Sequence, residues 1–397
     1  MARSSFVALR AALFCYWLLA TGYQLMNFLA GDIGGTKTRL ATVEVTGTQV
    51  RIEREADYPS RDYAKFADLL GEFLADVEPS LSPNSDGTTS HSTKPASGQV
   101  AGYLPLAGER DAVSLREYHF NHAAFGVAGP VRGRVVQTTN LPWRIDADAL
   151  QRQFGFAHCT LLNDLEATAY GLPALGADDL LTLQAGAPDA SGNVAVIAAG
   201  TGLGEAGLFW DGQCHHPFAT EGGHASFSPG DELEMSLLRY LQQRHQHISW
   251  ERVVSGTGLL SLHEFLCLYH RVAVPQWLTE EMRNGDAAAA IASAALSGRD
   301  KICIKTLDWF VRLYGAEAGN LALKMMSKGG LYLGGGIAPK ILPLLQDGAF
   351  LDAFLNKGRM CPLLEAMPVR VILNDRAALF GAALRAAQLA NNPKNLG

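Results

Sequence analysis

Apolar residues along this chain fall into two rhythms. Short, mostly apolar runs recur at residues 28–33, 40–45, 121–130, 159–163, 194–199, 330–333 and 369–373, and they read as β-strands, those at 159–163 and 194–199 buried. Between them the spacing turns helical: Phe66, Leu69, Leu70, Phe73, Leu74 and Val77 share one face of a helix over 63–77. Residues 234–242, 259–269, 287–296, 300–326 and 376–390 read as further helices. Residues 50–54 predict a third strand, and 134–138 a return strand for the run that ends at Gly129-Pro130. Asp146 is placed to cap a helix running to Phe154, and the run 159–163 stops just before Asp164. Strands and helices alternate, which predicts an α/β fold.

Two of the runs turn on glycine. Residues 28–45 predict a hairpin around Gly34-Gly35, and the strand 194–199 runs into Gly200-Thr201-Gly202-Leu203-Gly204. Gly202, Gly204 and Gly207 satisfy G-x-G-x-x-G, but a dinucleotide site needs a helix after the glycines. Here 206–210 is short and apolar and Asp211-Gly212 turns the chain, so the pattern predicts a second hairpin. A Walker A loop is excluded as well, because Thr36 stands where that motif requires its second glycine. The repetition suggests two similar halves. Each would offer a tip where backbone N–H groups, unobstructed by a Cβ, can approach phosphate; an ordinary hairpin turn is the plain alternative. Asp32, beside the first tip, could hold Mg²⁺ directly or through water.

At 397 residues, 48% hydrophobic and 18% charged, the chain has the composition of a globular protein of two or three domains. Its net charge of -6, with no long basic run, argues against nucleic acid as a partner. The six cysteines lie scattered, so neither a disulfide framework nor a cysteine zinc site is expected and reduced thiols are the default. His215, His216, His245 and His247 lack helical pairing with acids, so no zinc site is predicted. Residues 80–99, rich in Ser, Thr, Pro, Asn and Gly, read as a flexible surface loop.

The N-terminus is ambiguous. Arg3 and Arg10 precede an apolar run at 11–20, short for a membrane helix, and Met26 leads straight into the first strand. A start mis-called upstream of Met26, a leader and an export signal are all compatible with it. The first two are favoured, because the nucleotide chemistry argued below needs cytosolic ATP; the expectation is a cytoplasmic protein with no membrane partner.

Six short stretches carry a family resemblance: Gly31-Asp32-Ile33-Gly34-Gly35-Thr36, Leu162-Asn163-Asp164, Gly200-Thr201-Gly202-Leu203-Gly204, Glu221-Gly222-Gly223-His224, Glu251-Arg252-Val253 and Gly334-Gly335-Gly336-Ile337. In order and spacing, over residues 27–390, the chain resembles the bacterial-type glucokinases of the sugar kinase, actin and heat-shock chaperone superfamily. The resemblance implies two ribonuclease-H-like (actin-like ATPase) α/β domains with a cleft between them. A small domain would take 26–174 plus 377–397, including a flexible loop at 80–118, and a large one 175–376, with 1–25 a leader. It implies phosphorylation of glucose by ATP to glucose 6-phosphate, feeding glycolysis, and a homodimer. A kinase for another hexose, and a sugar-sensing regulator without turnover, are the alternatives.

By the same resemblance Asp164 is the base for the sugar 6-hydroxyl, and Asn163, Asp164, Glu221, His224 and Glu251 bind the sugar. Gly34, Gly35 and Thr36 would meet the terminal phosphates from one domain and Gly200, Thr201 and Gly202 from the other. Gly334, Gly335 and Gly336 would admit the adenine, and Asp32 would help place Mg²⁺. Each residue has a plainer reading. Asp164 could cap the helix 165–170, His224 could be a satisfied buried imidazole, Glu251 a solvated helix start, and 334–336 a strand-to-helix turn. The leader and the stretch 80–118 depart from the family pattern without touching a motif. No cysteine-rich zinc motif follows Glu221–His224 and no helix-turn-helix precedes Asp32, which weighs against a repressor.

Overall fold

A computed structural model describes residues 27–77, 120–138 and 140–391. The expectations for the leader and for the loop around 80–118 lie outside the described residues.

The opening hairpin is formed by β1 (Asn27–Ile33) and β2 (Lys37–Thr46), continued by β3 (Gln49–Pro59). Helix α1 (Phe66–Asp76) buries Phe66, Leu69, Leu70, Phe73 and Leu74, the face its spacing predicts. Then come β4 (His122–Val127), three short strands β5 (Val131–Arg132), β6 (Val135–Gln137) and β7 (Arg144–Asp146), helix α2 (Ala147–Phe154), β8 (His158–Asn163) and helix α3 (Asp164–Gly171). Asp146 caps α2 as expected, accepting from the Asp148 and Ala149 N–H groups at 3.1 Å each. The run 134–138 does not return onto β4. It pairs with β5 and β7 in a separate three-stranded sheet. The reason is that β4 is flanked on both sides by parallel neighbours, β1 and β8, and has no free edge to offer.

The second half begins with β9 (Leu180–Gln184) and repeats the first with β10 (Val194–Ala199), β11 (Leu203–Trp210) and β12 (His215–Thr220). Helices α4 (Glu232–Gln242), α5 (Gly256–His270), α6 (Gln276–Asn284), α7 (Ala287–Leu296) and α8 (Lys301–Met325) follow. Strand β13 (Gly330–Gly334), helices α9 (Leu342–Gln346), α10 (Ala349–Leu355) and α11 (Cys361–Glu365), strand β14 (Val369–Ile372) and helix α12 (Ala377–Asn391) complete the chain.

The two main sheets share one plan. The first has the order β3-β2-β1-β4-β8 and the second β12-β11-β10-β13-β14, with β9 added at its far edge. In each, the central strand is antiparallel to its hairpin partner and parallel to the strand on its other side. Strand β10 is buried over its whole length, which is why it reads as a continuous apolar run rather than an alternating one.

Helix α12 leaves β14 and packs on the first sheet, with Leu379, Ala382, Ala383 and Ala386 against Phe28, Ala30, Ala41, Val43 and Ala124. It crosses α3 at backbone contact. A Cβ on Gly381 would collide with the Ala167 carbonyl, and one on Gly171 with the Ala377 carbonyl.

Among the described residues Cys159, Cys267, Cys303 and Cys361 carry free thiols. Cys214 is disulfide-bonded and departs from the expectation of reduced thiols. No helix among the described residues is long and apolar enough to cross a membrane.

Candidate active site

Asp32 sits near the C-terminal end of β1 and Asp164 directly after β8, on either side of Gly126 in β4. Open α/β sheets bind ligands beyond the carboxyl ends of their strands. Gly126 is where the space is tightest: a Cβ there would come within 2.8 Å of the Ala167 Cβ and 3.9 Å of the Asp164 Cα. Both carboxyls are half-buried. Burial raises Asp164 to about 7, with the Asp32 charge adding to it, the N–H of Leu165 opposing it and Glu221 contributing further. Burial likewise raises Asp32 to about 6, against the attraction of Arg39 and Lys37. A nearby carboxylate disfavours ionisation, so the Asp32 charge makes Asp164 hold its proton more tightly than in water.

Asp164 is not the N-cap of α3. That place belongs to Asn163, whose Oδ1 accepts from the N–H groups of Leu165 at 3.0 Å and Glu166 at 3.3 Å, while its Nδ2 donates to the Gly129 carbonyl at 3.3 Å. Asp164 is the first helical residue, with one oxygen on the Leu165 N–H at 2.9 Å. Its other oxygen is left to face the site.

At the first hairpin the Gly34 N–H donates to the Lys37 carbonyl at 3.0 Å, and the Gly34 carbonyl accepts from Ser60 Oγ at 2.8 Å. A Cβ on Gly35 would lie 2.8 Å from the Asn140 Cβ. Glycine is needed here for close approach, since neither residue takes a positive φ. Thr36 is exposed beside them.

At the second hairpin the Gly200 N–H donates to the Gly202 carbonyl, and the Gly256 N–H to the Gly200 carbonyl, both at 2.8 Å. Thr201 is exposed at the tip. Strand β11 follows, not a helix, so the dinucleotide pattern is indeed a hairpin. Glu251 reaches this tip from a short helical turn: its Oε2 accepts from the Leu203 N–H at 3.0 Å, and a Cβ on Gly202 would collide with that oxygen. Glu251 is therefore not a solvated helix start.

Glu221 and His224 bracket a single turn, with His224 Nε2 3.9 Å from Glu221 Oε2. Both side chains are exposed, so His224 is not a buried core imidazole. Gly222 lies against the Glu205 carboxylate and Gly223 against the Leu203 carbonyl, with no room for a Cβ at either. Gly334 ends β13, and Gly335 and Gly336 follow it beside the end of β10, because β13 is parallel to β10 with Gly334 level with Ala198. Gly335 needs its φ of +79°, and the Ile337 N–H donates to the Ala199 carbonyl at 3.2 Å.

Three residues escape the sequence reading. Arg39 lies opposite Asp32 in the hairpin register and bonds Asp57 at 3.0 Å and Asp375 at 2.8 Å. Its charge faces Asp32 across two strands, and a charged residue two places into a buried run was the signal for it. Asp375 arrives from the far end of the chain and left no signal. Glu205, 1% exposed in β11, is pushed to about 8 by burial and by the neighbouring Glu317 carboxylate.

One sheet plan used twice, with a glycine-turned hairpin in each copy and carboxylates at the strand ends, is the architecture of the actin-like ATPase sugar kinases. Solved structures align on that basis. A glucokinase from an Antarctic psychrotroph superposes with a TM-score of 0.72 at 28% identity, covering 92% of this chain and all of that one. A ROK family glucokinase from Streptomyces griseus, in complex with glucose and AMPPNP, shares the fold with a TM-score of 0.56 at 20% identity, over 91% and 99% of the two chains. The glucokinase family model matches residues 29–389. A glucokinase of Nostoc punctiforme is 40% identical over 375 residues, which span 91% of this chain and 99% of that relative. The chain belongs to the glucokinase family.

Proposed function

We propose that this chain transfers the terminal phosphoryl group of ATP to the 6-hydroxyl of glucose, giving glucose 6-phosphate and ADP. The observation that carries the reading is Asp164: a half-buried carboxyl at a strand end, raised to about 7, with one oxygen held by the Leu165 N–H and the other open. A base tuned near neutrality is what removal of a hydroxyl proton requires. Asn163, Glu221, His224 and Glu251 supply acceptors and donors for the remaining sugar hydroxyls. The backbone around Gly34–Thr36 and Gly200–Gly202 receives the phosphates, and Gly334–Gly336 the adenine. The relative from Streptomyces griseus, crystallised with glucose and AMPPNP, supports both ligand classes.

Mg²⁺ fits Asp32. Among the described residues no group donates a hydrogen bond to its half-buried carboxylate, which leaves its oxygens to a hard cation, with Asp375 and Asp57 offsetting the charges of Arg39 and Lys37. When bound with the nucleotide, the ion neutralises phosphate charge. Asp32 orients it, and Arg39 holds the hairpin that presents Asp32.

The reading extends to a division into a small domain, 26–174 plus 377–397, and a large one, 175–376. The packing of α12 on the first sheet supports it. Closure of the cleft would exclude water from the transfer. It extends also to a homodimer and a cytoplasmic setting, where ATP and glucose meet. A coupled assay across glucose, mannose and glucosamine, each with ATP, ADP and polyphosphate, tests it. Turnover confined to glucose and ATP with Mg²⁺ is the expected result. Preference for another hexose or donor, or no turnover by a folded protein, overturns it.

A further inference from the structure

The active site uses none of the buried polar groups between α5 and α8, yet four residues with metal-binding chemistry meet there. His263 and Cys267 lie one turn apart on α5, and Asp300 and Cys303 lie on the first turn of α8, where Asp300 is the N-cap. One ligand atom each from His263, Asp300 and Cys303 fall within 4.8 Å of one another. The Cys267 sulfur lies outside that group but next to its histidine, 3.8 Å from His263 Nε2 and 4.0 Å from Nδ1.

His263 is the telling member. It is 1% exposed, and its only partner among the described residues is that sulfur, a weak one. A buried imidazole without a nitrogen or oxygen partner carries an unsatisfied polar cost. The Cys303 sulfur is fully buried, and its thiol hydrogen-bonds the Asp300 carboxylate. Asp300 accepts from the Ile302 and Cys303 N–H groups through Oδ1, at 2.8 Å each. The charges that face the pocket are all negative: Asp300 and Glu264 act on both His263 and Cys267, and Asp300 on Cys303. Burial and that field push the Cys303 thiol up to about 12, while burial lowers His263 against the opposing pull of the same carboxylates. This is an environment that resists thiolates by itself and accepts them once a cation is present.

We propose that His263, Cys267, Asp300 and Cys303 form a four-ligand site for a thiophilic divalent transition metal, zinc by preference, which clamps α5 to α8. Two sulfurs, one imidazole nitrogen and one carboxylate oxygen match the ligand set and number of a closed structural zinc site. A tetrahedron with ordinary zinc bond lengths puts ligand atoms on the order of 3.3–3.8 Å apart, so small side-chain rotations close the cluster. Binding releases the protons of both thiols to solvent. The expectation of no zinc site rested on spacing along the chain, and His263 and Cys303 are too far apart in sequence for spacing to join them. The clamp would also steady the second hairpin, since α5 starts at Gly256, whose N–H holds the Gly200 carbonyl.

The test uses the full chain, reduced and kept anaerobic, titrated with Zn²⁺ and with Co²⁺. The expected result is one metal per chain, a thiolate-to-cobalt charge-transfer band, and a higher Tm with Zn²⁺. Cys303→Ser should weaken zinc binding by about 100-fold and reduce the band, and Cys267→Ser combined with it should abolish the band. His216→Ala, beside the exposed Asp211 and the buried Cys214, should change neither. A wild-type protein that shows no charge-transfer band at saturating Co²⁺ overturns the proposal, and this reading needs no variant to fold. So does a band that Cys303→Ser leaves unchanged, one that survives the double cysteine variant, or one that disappears with His216→Ala.

Discussion

Glu251 Oε2 occupies the space that a side chain at Gly202 would need. The same oxygen accepts from the Leu203 N–H at 3.0 Å, so a residue assigned to the sugar is bonded into the loop assigned to the phosphates. Sugar binding and phosphate positioning are thereby one geometric problem. In Gly202→Ala the new Cβ must displace the Glu251 carboxylate and break that bond. Loss of a hydrogen bond to a charged group is worth about 1.5–3 kcal/mol, so kcat/KM for glucose should fall by roughly 10- to 150-fold, with KM rising for glucose and for ATP together. Steady-state kinetics with circular dichroism as the folding control checks this, and a rise in KM for ATP alone would separate the two sites.

Asp164→Asn should lower kcat by about 10²–10⁴-fold, the range for loss of a general base, with a much smaller change in KM for glucose. The same change should stabilise the protein. A carboxyl whose pKa is raised on folding contributes stability below its unfolded value of about 4. That contribution is lost as the pH rises through about 7. At pH 8 the native state therefore bears the cost of the buried charge, and the amide removes it. Tm at pH 8 should rise, by about 1–2 °C for each kcal/mol relieved, and the gain should vanish near pH 4. An inactive variant with an unchanged or lowered Tm at pH 8 would show that the site does not strain Asp164.

The acid limb of kcat/KM should report Asp164, falling below about pH 7. Asp32 is among the groups that raise it, because its negative charge disfavours a second one nearby. Replacing Asp32 by Asn removes that repulsion, so the limb on the residual activity should move to lower pH. A limb that stays in place, or moves up, would mean that the two carboxyls do not share a pocket.

Gly381→Ala probes the helix crossing behind the site. The added methyl would collide with the Ala167 carbonyl in α3, the helix that Asp164 begins. Overpacking of this kind costs about 1–3 kcal/mol. A lower urea midpoint with an unchanged m-value is expected, together with reduced kcat, because α3 must shift and carry Asp164 with it. Full stability with lost activity would place the effect elsewhere.

Much of this was legible beforehand, for a physical reason. Strands buried on both faces must be apolar throughout, so β1, β10 and β13 announce themselves as runs, and hairpin tips that approach phosphate must be glycine. Local rules of that kind, joined to a family resemblance, were enough to read the α/β class and the two hairpins, and to nominate the residues from Asp32 to Gly336 as a candidate site. The run at 134–138 was misread because pairing partners are chosen by what else occupies a sheet, and β8, which takes the second edge of β4, lies beyond it in the chain. Asn163 rather than Asp164 caps α3 because caps depend on where the helical dihedrals begin, a one-residue distinction that side-chain type alone leaves open.

The remaining decisions belong to tertiary structure. Arg39 meets Asp375 across 336 positions of chain, Glu251 meets Gly202 through a turn that leads into α5, and His263 meets Cys303 across two packed helices. Sequence carries the chemistry of each of these side chains. Which of them become neighbours is set by how the two sheets, α8 and α12 fill space around their cores, and burial then decides how strongly each pair acts on the other.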